Sequence, residues 1–377
     1  MRLSGLLLIL ITFFGCKRKE VAQPLPDSPD QLTSIKYAKG FAVTYLENSK
    51  LVEVIKPYPN AKSGIKYLLV QQGSSIPEHD ADTKVIRVPI TRMVCTSTSH
   101  IPLLDYLNET EALVGFPTTD YISSEKMRAR IDEGLVSELG VDKSMNVERL
   151  AMLKPDLVMG YTISGDLGQF KKMEELNIPV VVNGEYLEEH PLGRAEWIKF
   201  MAFFFNKEDL ADSVFSEIEK SYHQTKDLVI NVNYKPTVMS GVVYGDTWFL
   251  PGGKNYAAQL LKDAGCTYLW EDNSSTGFLE LSFESVYEKA HAADLWIGVA
   301  SFMDLQSIAG SDNRYTRFNA FKEGKVFTYD IRKGAKGGSE FLELGYLRPD
   351  LILKDLVKIA HPDLLPDHTL YFHRQLK

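Results

Sequence analysis

The chain has 377 residues, 44% of them hydrophobic and 24% charged, with a formal net charge of -8 at pH 7. That length exceeds the roughly 250–300 residues at which one hydrophobic core stops growing, so two lobes are expected. The negative balance, with Lys and Arg spread along the chain, offers no basic face for a nucleic-acid backbone and excludes nucleic acid as the expected partner.

The first residues, MRLSGLLLILITFFGCKRKE, carry Arg2, an apolar run over 6–14 and then Gly15-Cys16. The run is shorter than the roughly 20 residues needed to span a bilayer and fits the core of a signal peptide over 1–15. The Gly-Cys junction resembles a bacterial lipobox, which implies cleavage before Cys16 and acylation of its thiol. An uncleaved membrane anchor is the alternative, and both readings place the folded part outside the cytoplasm, on the periplasmic side of a membrane. Residues 16–34 are rich in Pro, Ser and charge and read as a flexible tether. Cys95 and Cys266 sit in apolar surroundings and, since two cysteines make no disulfide framework, read as buried thiols, with a disulfide between them as the alternative.

From 35 to 88 the runs FAVTYL, LVEVI, KYLLVQQ and KVIRVPI are split by Gly, Pro and Asn clusters, which predicts a β-rich elaboration. RMVCTSTSH at 92–100 is an apolar strand ending in small hydroxyl residues. Helix-then-strand units follow in IPLLDYLNETEALVG, NVERLAMLKPDLVMG and DLGQFKKMEELNIPVVVN, and the β-branched run at 180–182 is of the kind buried in parallel sheets. This alternation predicts an α/β lobe over 35–205. Between 191 and 229 only helical periodicity is present, with Asn206 as a stop and a long helix at 206–228 as a rigid bridge. Strands resume at TVMSGVVYG, and helices and strands alternate through DLWIGVA and KVFTYD to a closing helix in RPDLILKDLVKIAHPDLL, a second α/β lobe over 229–377. The expected fold is thus α/β, with two Rossmann-like lobes joined by a long helix.

The chain lacks a phosphate loop, a dinucleotide glycine motif, a nucleophile elbow and a paired zinc-binding histidine motif, and its eight histidines are scattered singly. GGKNY at 252–256 reads as a turn. No enzyme and no bound cofactor are expected. What the sequence does place just after strands, where ligands bind in α/β sheets, is a set of aromatic and hydroxyl residues. Ser97, Thr98 and Ser99 follow the first core strand, Tyr121 lies in the loop after Gly115, Tyr161 follows 157–160, Trp248 follows 238–245 and Phe302 follows 295–300. Each aromatic alone is explained by packing of a lobe rim; drawn from both lobes, they predict an interlobe cleft with flat apolar walls. RKGAKGGSEFLE at 332–343 either presents Arg332, Lys333 or Lys336 to an anionic ligand or is a solvated loop. Arg314 and Arg317 are weaker candidates for the same role.

Over residues 92–365, NVERLAMLKPDLVMG, LNIPVVV, LLKDAG and LSFESVYEKAHAADLWI resemble the solute-binding lipoproteins of bacterial ABC importers for iron-siderophores, haem and cobalamin. The resemblance implies two α/β lobes joined by a long helix, a monomer that holds its ligand between them, and delivery to a permease dimer. It also implies that one surface glutamate of each lobe docks on permease arginines; by position these are Glu148 and Glu284. Each lies two residues after an N-cap, Asn146 and Ser282, where a carboxylate also complements the helix dipole by about 0.3–1 kcal/mol. The expected cargo is an iron chelate, a siderophore or haem, with cobalamin as the alternative. A zinc or manganese receptor is a further alternative, with His100 the one ligand at the first core strand. An enzyme on a related scaffold would need a metal or cluster held by cysteines, and Cys95 and Cys266 are too few. The β-rich 35–88 segment departs from the minimal family pattern.

Overall fold

The computed structural model describes residues 34–299 and 302–377. The signal peptide, Cys16 and most of the 16–34 tether lie outside the described residues. Among the described residues no helix is long and apolar enough to cross a membrane.

The four early apolar runs form one sheet of β1 (Phe41–Leu46), β2 (Ser49–Val54), β3 (Ile65–Gln71) and β4 (Lys84–Val88), in that order, antiparallel except for the β3–β4 pair. The chain then alternates β5 (Met93–Cys95), α1 (His100–Tyr106), β6 (Leu113–Phe116), α2 (Glu125–Asp132), β7 (Ser137–Glu138), α3 (Val147–Met152), β8 (Leu157–Gly160), α4 (Gly168–Glu175) and β9 (Val180–Val182). These strands pair in parallel in the order β7-β6-β5-β8-β9. Every residue of β5, β6, β8 and β9 is buried, which is why they read as continuous apolar runs and not as alternating ones.

Two helices follow: α5 (Pro191–Ala202), buried along its whole length, and α6 (Glu208–Asp227). Asn206 between them adopts the left-handed φ of 54°, in keeping with its reading as a stop. α6 buries Ala211, Phe215, Ile218, Tyr222 and Thr225 along one stripe and packs both on α5 and on the closing helix Pro349–Ala360 of the second lobe. At 20 residues it is about 30 Å long. The first sheet covers α5: the Phe41 ring lies 4.9 Å from Trp197 and 5.4 Å from Phe200. The β-rich elaboration therefore braces the helix pair that joins the lobes.

The second lobe runs β10 (Thr237–Ser240), β11 (Val242–Tyr244), β12 (Thr247–Pro251), α7 (Tyr256–Asp263), β13 (Thr267–Tyr268), β14 (Phe278–Leu281), α8 (Phe283–Ala290) and β15 (Leu295–Ile297). It continues with α9 (Leu305–Ser311), α10 (Asn319–Lys322), β16 (Val326–Thr328), α11 (Glu340–Leu344), α12 (Pro349–Ala360) and β17 (Arg374–Gln375). Its main sheet, β13-β10-β15-β16-β17, is parallel but for β17, and β11-β12-β14 form a separate antiparallel sheet.

One expected strand divides. The run at 237–245 breaks at Gly241, whose φ of +80° turns the chain out of the parallel sheet and into the β11–β12 hairpin. A Cβ there would stand 1.9 Å from the Phe249 carbonyl oxygen, so only glycine fits the turn. This corrects the reading of Trp248 as a cleft residue. On β12 it is fully buried, stacked 5.6 Å from Trp296 and donating its indole N–H to the Ser240 carbonyl at 3.0 Å. Cys95 and Cys266 are free, buried thiols.

Candidate functional site

The C-terminal ends of the two parallel sheets meet across a seam. On the first-lobe side, the Ser97 and Ser99 hydroxyls are 2.7 Å apart, and Ser99 donates to the carboxylate of Glu185, two residues past the first residue after β9. Asn183 donates to the same carboxylate at 3.1 Å. Burial pushes the Glu185 carboxyl above its usual range, opposed by these two donors and by the charge of Arg194. After β8, the Tyr161 ring meets Tyr186 edge-on at 6.3 Å, and the Tyr186 hydroxyl donates to the Thr162 carbonyl at 2.7 Å. Burial raises both phenols, Tyr186 to about 12.

Arg194, at the start of α5, reaches across the seam. Its guanidinium lies 3.5 Å from the ring centre of Tyr256 and 4.5 Å from that of Tyr346, both in the second lobe. It donates to the carbonyls of Glu188 and Tyr186, at 3.1 and 2.7 Å, yet Nη1 is buried without an acceptor. A cationic donor left unspent among four tyrosines is suited to an anionic group on a flat ligand.

A second set of contacts closes the seam further along. The 332–343 loop keeps Arg332, Lys333 and Lys336 exposed while its glycines press on the first lobe. Gly338 lies so close to Tyr121 that a Cβ would be 2.0 Å from its carbonyl oxygen, and one on Gly334 would be 2.6 Å from the Ser123 Cα. Glu343 on α11 then accepts the backbone N–H groups of Ser123 and Ser124 at 2.6 and 2.8 Å, capping the entry to α2 from the other lobe. Arg348 donates to the Tyr106 hydroxyl at 2.9 Å.

The predicted residues divide between these surroundings. Ser97, Ser99 and Tyr161 lie at the seam, and Tyr121, largely exposed, stands where the glycine-rich loop touches the first lobe. Phe302 is half-buried against the core, and its carbonyl accepts from Arg374. Arg332 stacks on Tyr371 at 4.1 Å, Lys333 pairs with Asp330 at 3.0 Å, and Lys336 is exposed in the loop. Arg314 is bound to Asp312 at 2.7 Å and to Glu284 at 3.1 Å. Sequence reading missed Glu185, Tyr186, Arg194, Tyr256 and Tyr346. It also missed Ile163, Met303 and Ile331, large apolar side chains left exposed past the ends of β8, β15 and β16. Among the described residues no three His, Cys, Asp or Glu side chains converge as a metal site.

Glu148 and Glu284 are both exposed on the first turns of α3 and α8. Asn146 and Ser282 cap those helices, accepting from the N–H groups of Arg149 and Ser285 at 2.8 and 3.1 Å. The two differ in one respect, since Glu284 has Arg314 as a partner across 3.1 Å of exposed surface.

Two α/β lobes whose strand ends meet at one seam present the arrangement in which α/β proteins hold ligands. Residues 93–332, more than half of the chain, match the model of the periplasmic binding protein family, and the chain belongs to that family. An uncharacterized lipoprotein of Methanocaldococcus jannaschii is 26% identical over 407 residues, spanning 98% of this chain and 94% of that protein. A second uncharacterized lipoprotein of the same organism is 26% identical over 397 residues, with 98% and 97% covered. Among solved structures, a periplasmic binding protein of Veillonella parvula superposes with a TM-score of 0.58 at 14% identity, over 86% of this chain and 98% of that one. A periplasmic haem-binding protein of Roseiflexus sp. RS-1 gives 0.54 at 15% identity over 73% and 99%. A siderophore-binding protein of Vibrio cholerae with bound Fe3+-Desferal gives 0.52 at 17% identity over 72% and 99%. At these identities the likeness is one of fold.

Proposed function

We propose that the chain is the solute-binding lipoprotein of an ABC importer, tethered through Cys16, and that it captures an iron chelate at the seam and hands it to a permease dimer. The observation that carries the reading is the unsatisfied Nη1 of Arg194, set among Tyr161, Tyr186, Tyr256 and Tyr346. A ferric siderophore or haem brings both an anionic group for that donor and flat surface for the rings. Exposed Ile163, Met303 and Ile331 extend the apolar lining beyond the strand ends. The names of solved proteins of this fold, which include haem and siderophore binders, agree with that chemistry.

Calorimetric titration of the soluble form, residues 17–377, with haem, ferric siderophores and cobalamin tests it. One chelate of iron should bind saturably, and Tyr346→Ala should weaken it by about tenfold or more, the scale of a lost aromatic anchor. Saturable binding of cobalamin alone moves the cargo to that class. Failure of the whole panel in protein that retains bound zinc or manganese sinks the reading.

Glu148 and Glu284 are proposed as the permease contacts. In reconstituted transport, Glu148→Arg and Glu284→Arg should each slow uptake about tenfold or more while leaving solute affinity unchanged, because reversed charge at an interface rim opposes encounter. Equal uptake by wild type and both variants would confine the two carboxylates to capping their helices.

A further inference from the structure

A groove of about 200 Å³ opens just ahead of α5, walled by four separated segments, 37–40, Lys56, 187–190 and 254–259. Lys39 comes from the lead-in to β1, Lys56 from the turn after β2, and Lys254 from the second lobe, just ahead of α7. Other lysines of this region are paired: Lys36 with Glu219, Lys50 with Glu208, Lys84 with Glu174, Lys199 with Glu196 and Asp212, and Lys226 with Asp263. The three in the groove are exposed and join no ion pair among the described residues.

The groove also holds two carboxylates, and they differ. Glu188 is buried, its oxygens accepting the N–H groups of Lys39 and Gly40, at 2.9 and 2.7 Å, and the Trp197 indole at 3.0 Å. Its lone pairs are thus committed to holding the wall in shape. Glu189 is exposed at the rim. His190 accepts the Leu192 N–H on Nδ1 at 3.1 Å, which leaves Nε2–H as a neutral donor; burial lowers its pKa and keeps it uncharged. Tyr37, on the same wall, bonds to Glu219 at 2.8 Å and to His223 at 2.9 Å, so the groove adjoins the bridging helix α6 and not the strand ends.

We propose that this groove is a second binding site, for a compact polyanion of the phosphate or polycarboxylate class, which Lys39, Lys56 and Lys254 hold from both lobes at once. Against the carboxylates of Glu188 and Glu189 the three ammoniums leave the groove with a formal charge of +1, and the Glu188 oxygens already accept three donors of the wall, so an anion between the lysines gains donors that have no ion-pair partner. The volume suits a small anion and is too small for a folded acidic partner. Because Lys254 lies in one lobe and Lys39 and Lys56 are fixed to the other, the bound anion ties the lobes together beside their joint. The groove is distinct from the seam, since none of the three lysines is among the seam residues.

The test is calorimetry of the full chain in detergent micelles at low salt, titrated separately with tripolyphosphate and with citrate. Binding of one anion per chain by either probe is expected, weakened about tenfold or more in the Lys39→Gln/Lys56→Gln/Lys254→Gln variant. The tighter probe assigns phosphate or carboxylate as the preferred class. A control with the same loss of charge on exposed positions elsewhere, Lys62→Gln/Lys171→Gln/Lys322→Gln, should bind as wild type does. No saturable heat with either probe, or an equal loss in the control, overturns the site.

Discussion

Between pH 4.5 and about 7 the wild-type protein should lose about 3 kcal/mol of stability that a Glu343→Ala variant does not lose. Glu343 is buried and faces Asp105, and burial raises its carboxyl from 4.5 to about 7 despite the N–H groups of Ser123 and Ser124. A carboxyl with a raised folded pKa binds its proton more tightly in the folded chain. Its protonated form is therefore favourable below the unfolded value of 4.5, and a cost grows as pH rises through the window and levels off above about 7. Asp105 adds to the cost because its own carboxylate accepts from the Ser124 hydroxyl at 2.5 Å, close to the charge that Glu343 acquires. Urea unfolding at a series of pH values reads the difference directly: the gap between wild type and Glu343→Ala should be widest near pH 4.5 and about 3 kcal/mol smaller at pH 8. Protection of the Ser123 and Ser124 amides, after correction for the intrinsic pH dependence of exchange, should fall over the same range in step with the loss of stability. A gap that stays constant with pH would show that the contact works through packing alone. The functional consequence is directional, because the lobes are fastened to each other more firmly in mild acid than in alkali.

Much of the architecture is legible in local sequence, and what escapes it does so for identifiable reasons. The buried parallel strands announce themselves as apolar runs, and Asn206, Asn146 and Ser282 mark helix ends because capping chemistry is carried by single residues. The exposed first-turn glutamates follow from those caps. Trp248 misleads because an aromatic residue after a strand reads as a rim, whereas Gly241 has already carried the chain into a hairpin whose inner face is core. The sequence shows the glycine there but not which carbonyl would clash with a side chain. Arg194 and Glu343 are invisible for a related reason. Each acts on groups far away in the chain, Arg194 on Tyr256 and Tyr346 and Glu343 on Ser123 and Ser124, and no spacing rule links such partners. The glycines of the 332–343 loop suggest mobility when read alone, but two of them are there so that another lobe can press against the backbone.

Glu196→Ala should destabilise the protein by about 3–5 kcal/mol, the cost of removing one partner from a buried, charged cluster. Its carboxylate, fully buried on α5, accepts the successive N–H groups of Lys36, Tyr37 and Ala38, the closest contacts being 2.9, 2.7 and 2.9 Å. Lys199 lies 3.1 Å away and also reaches Asp212 of α6 at 3.0 Å and the Ser34 carbonyl at 2.7 Å. Eight residues earlier, just ahead of α5, Glu188 does the same for Lys39 and Gly40. Residues 34–40 are thereby stitched to α5 and, through Lys199, to the long helix between the lobes. Removing Glu196 leaves three amides and an ammonium without their common acceptor, and the four-stranded sheet that begins at Phe41 loses the clamp on its leading edge. The measurement is urea unfolding of Glu196→Ala beside Glu196→Gln, whose single carbonyl oxygen restores only part of the bonding and should fall between the variant and wild type. Limited proteolysis should cut the alanine variant fastest within 34–40. A loss below about 1 kcal/mol would mean that water replaces the carboxylate at these amides. A loss of the expected size makes Glu196 the residue that fastens 36–38 to α5 and, through Lys199 and Asp212, to α6.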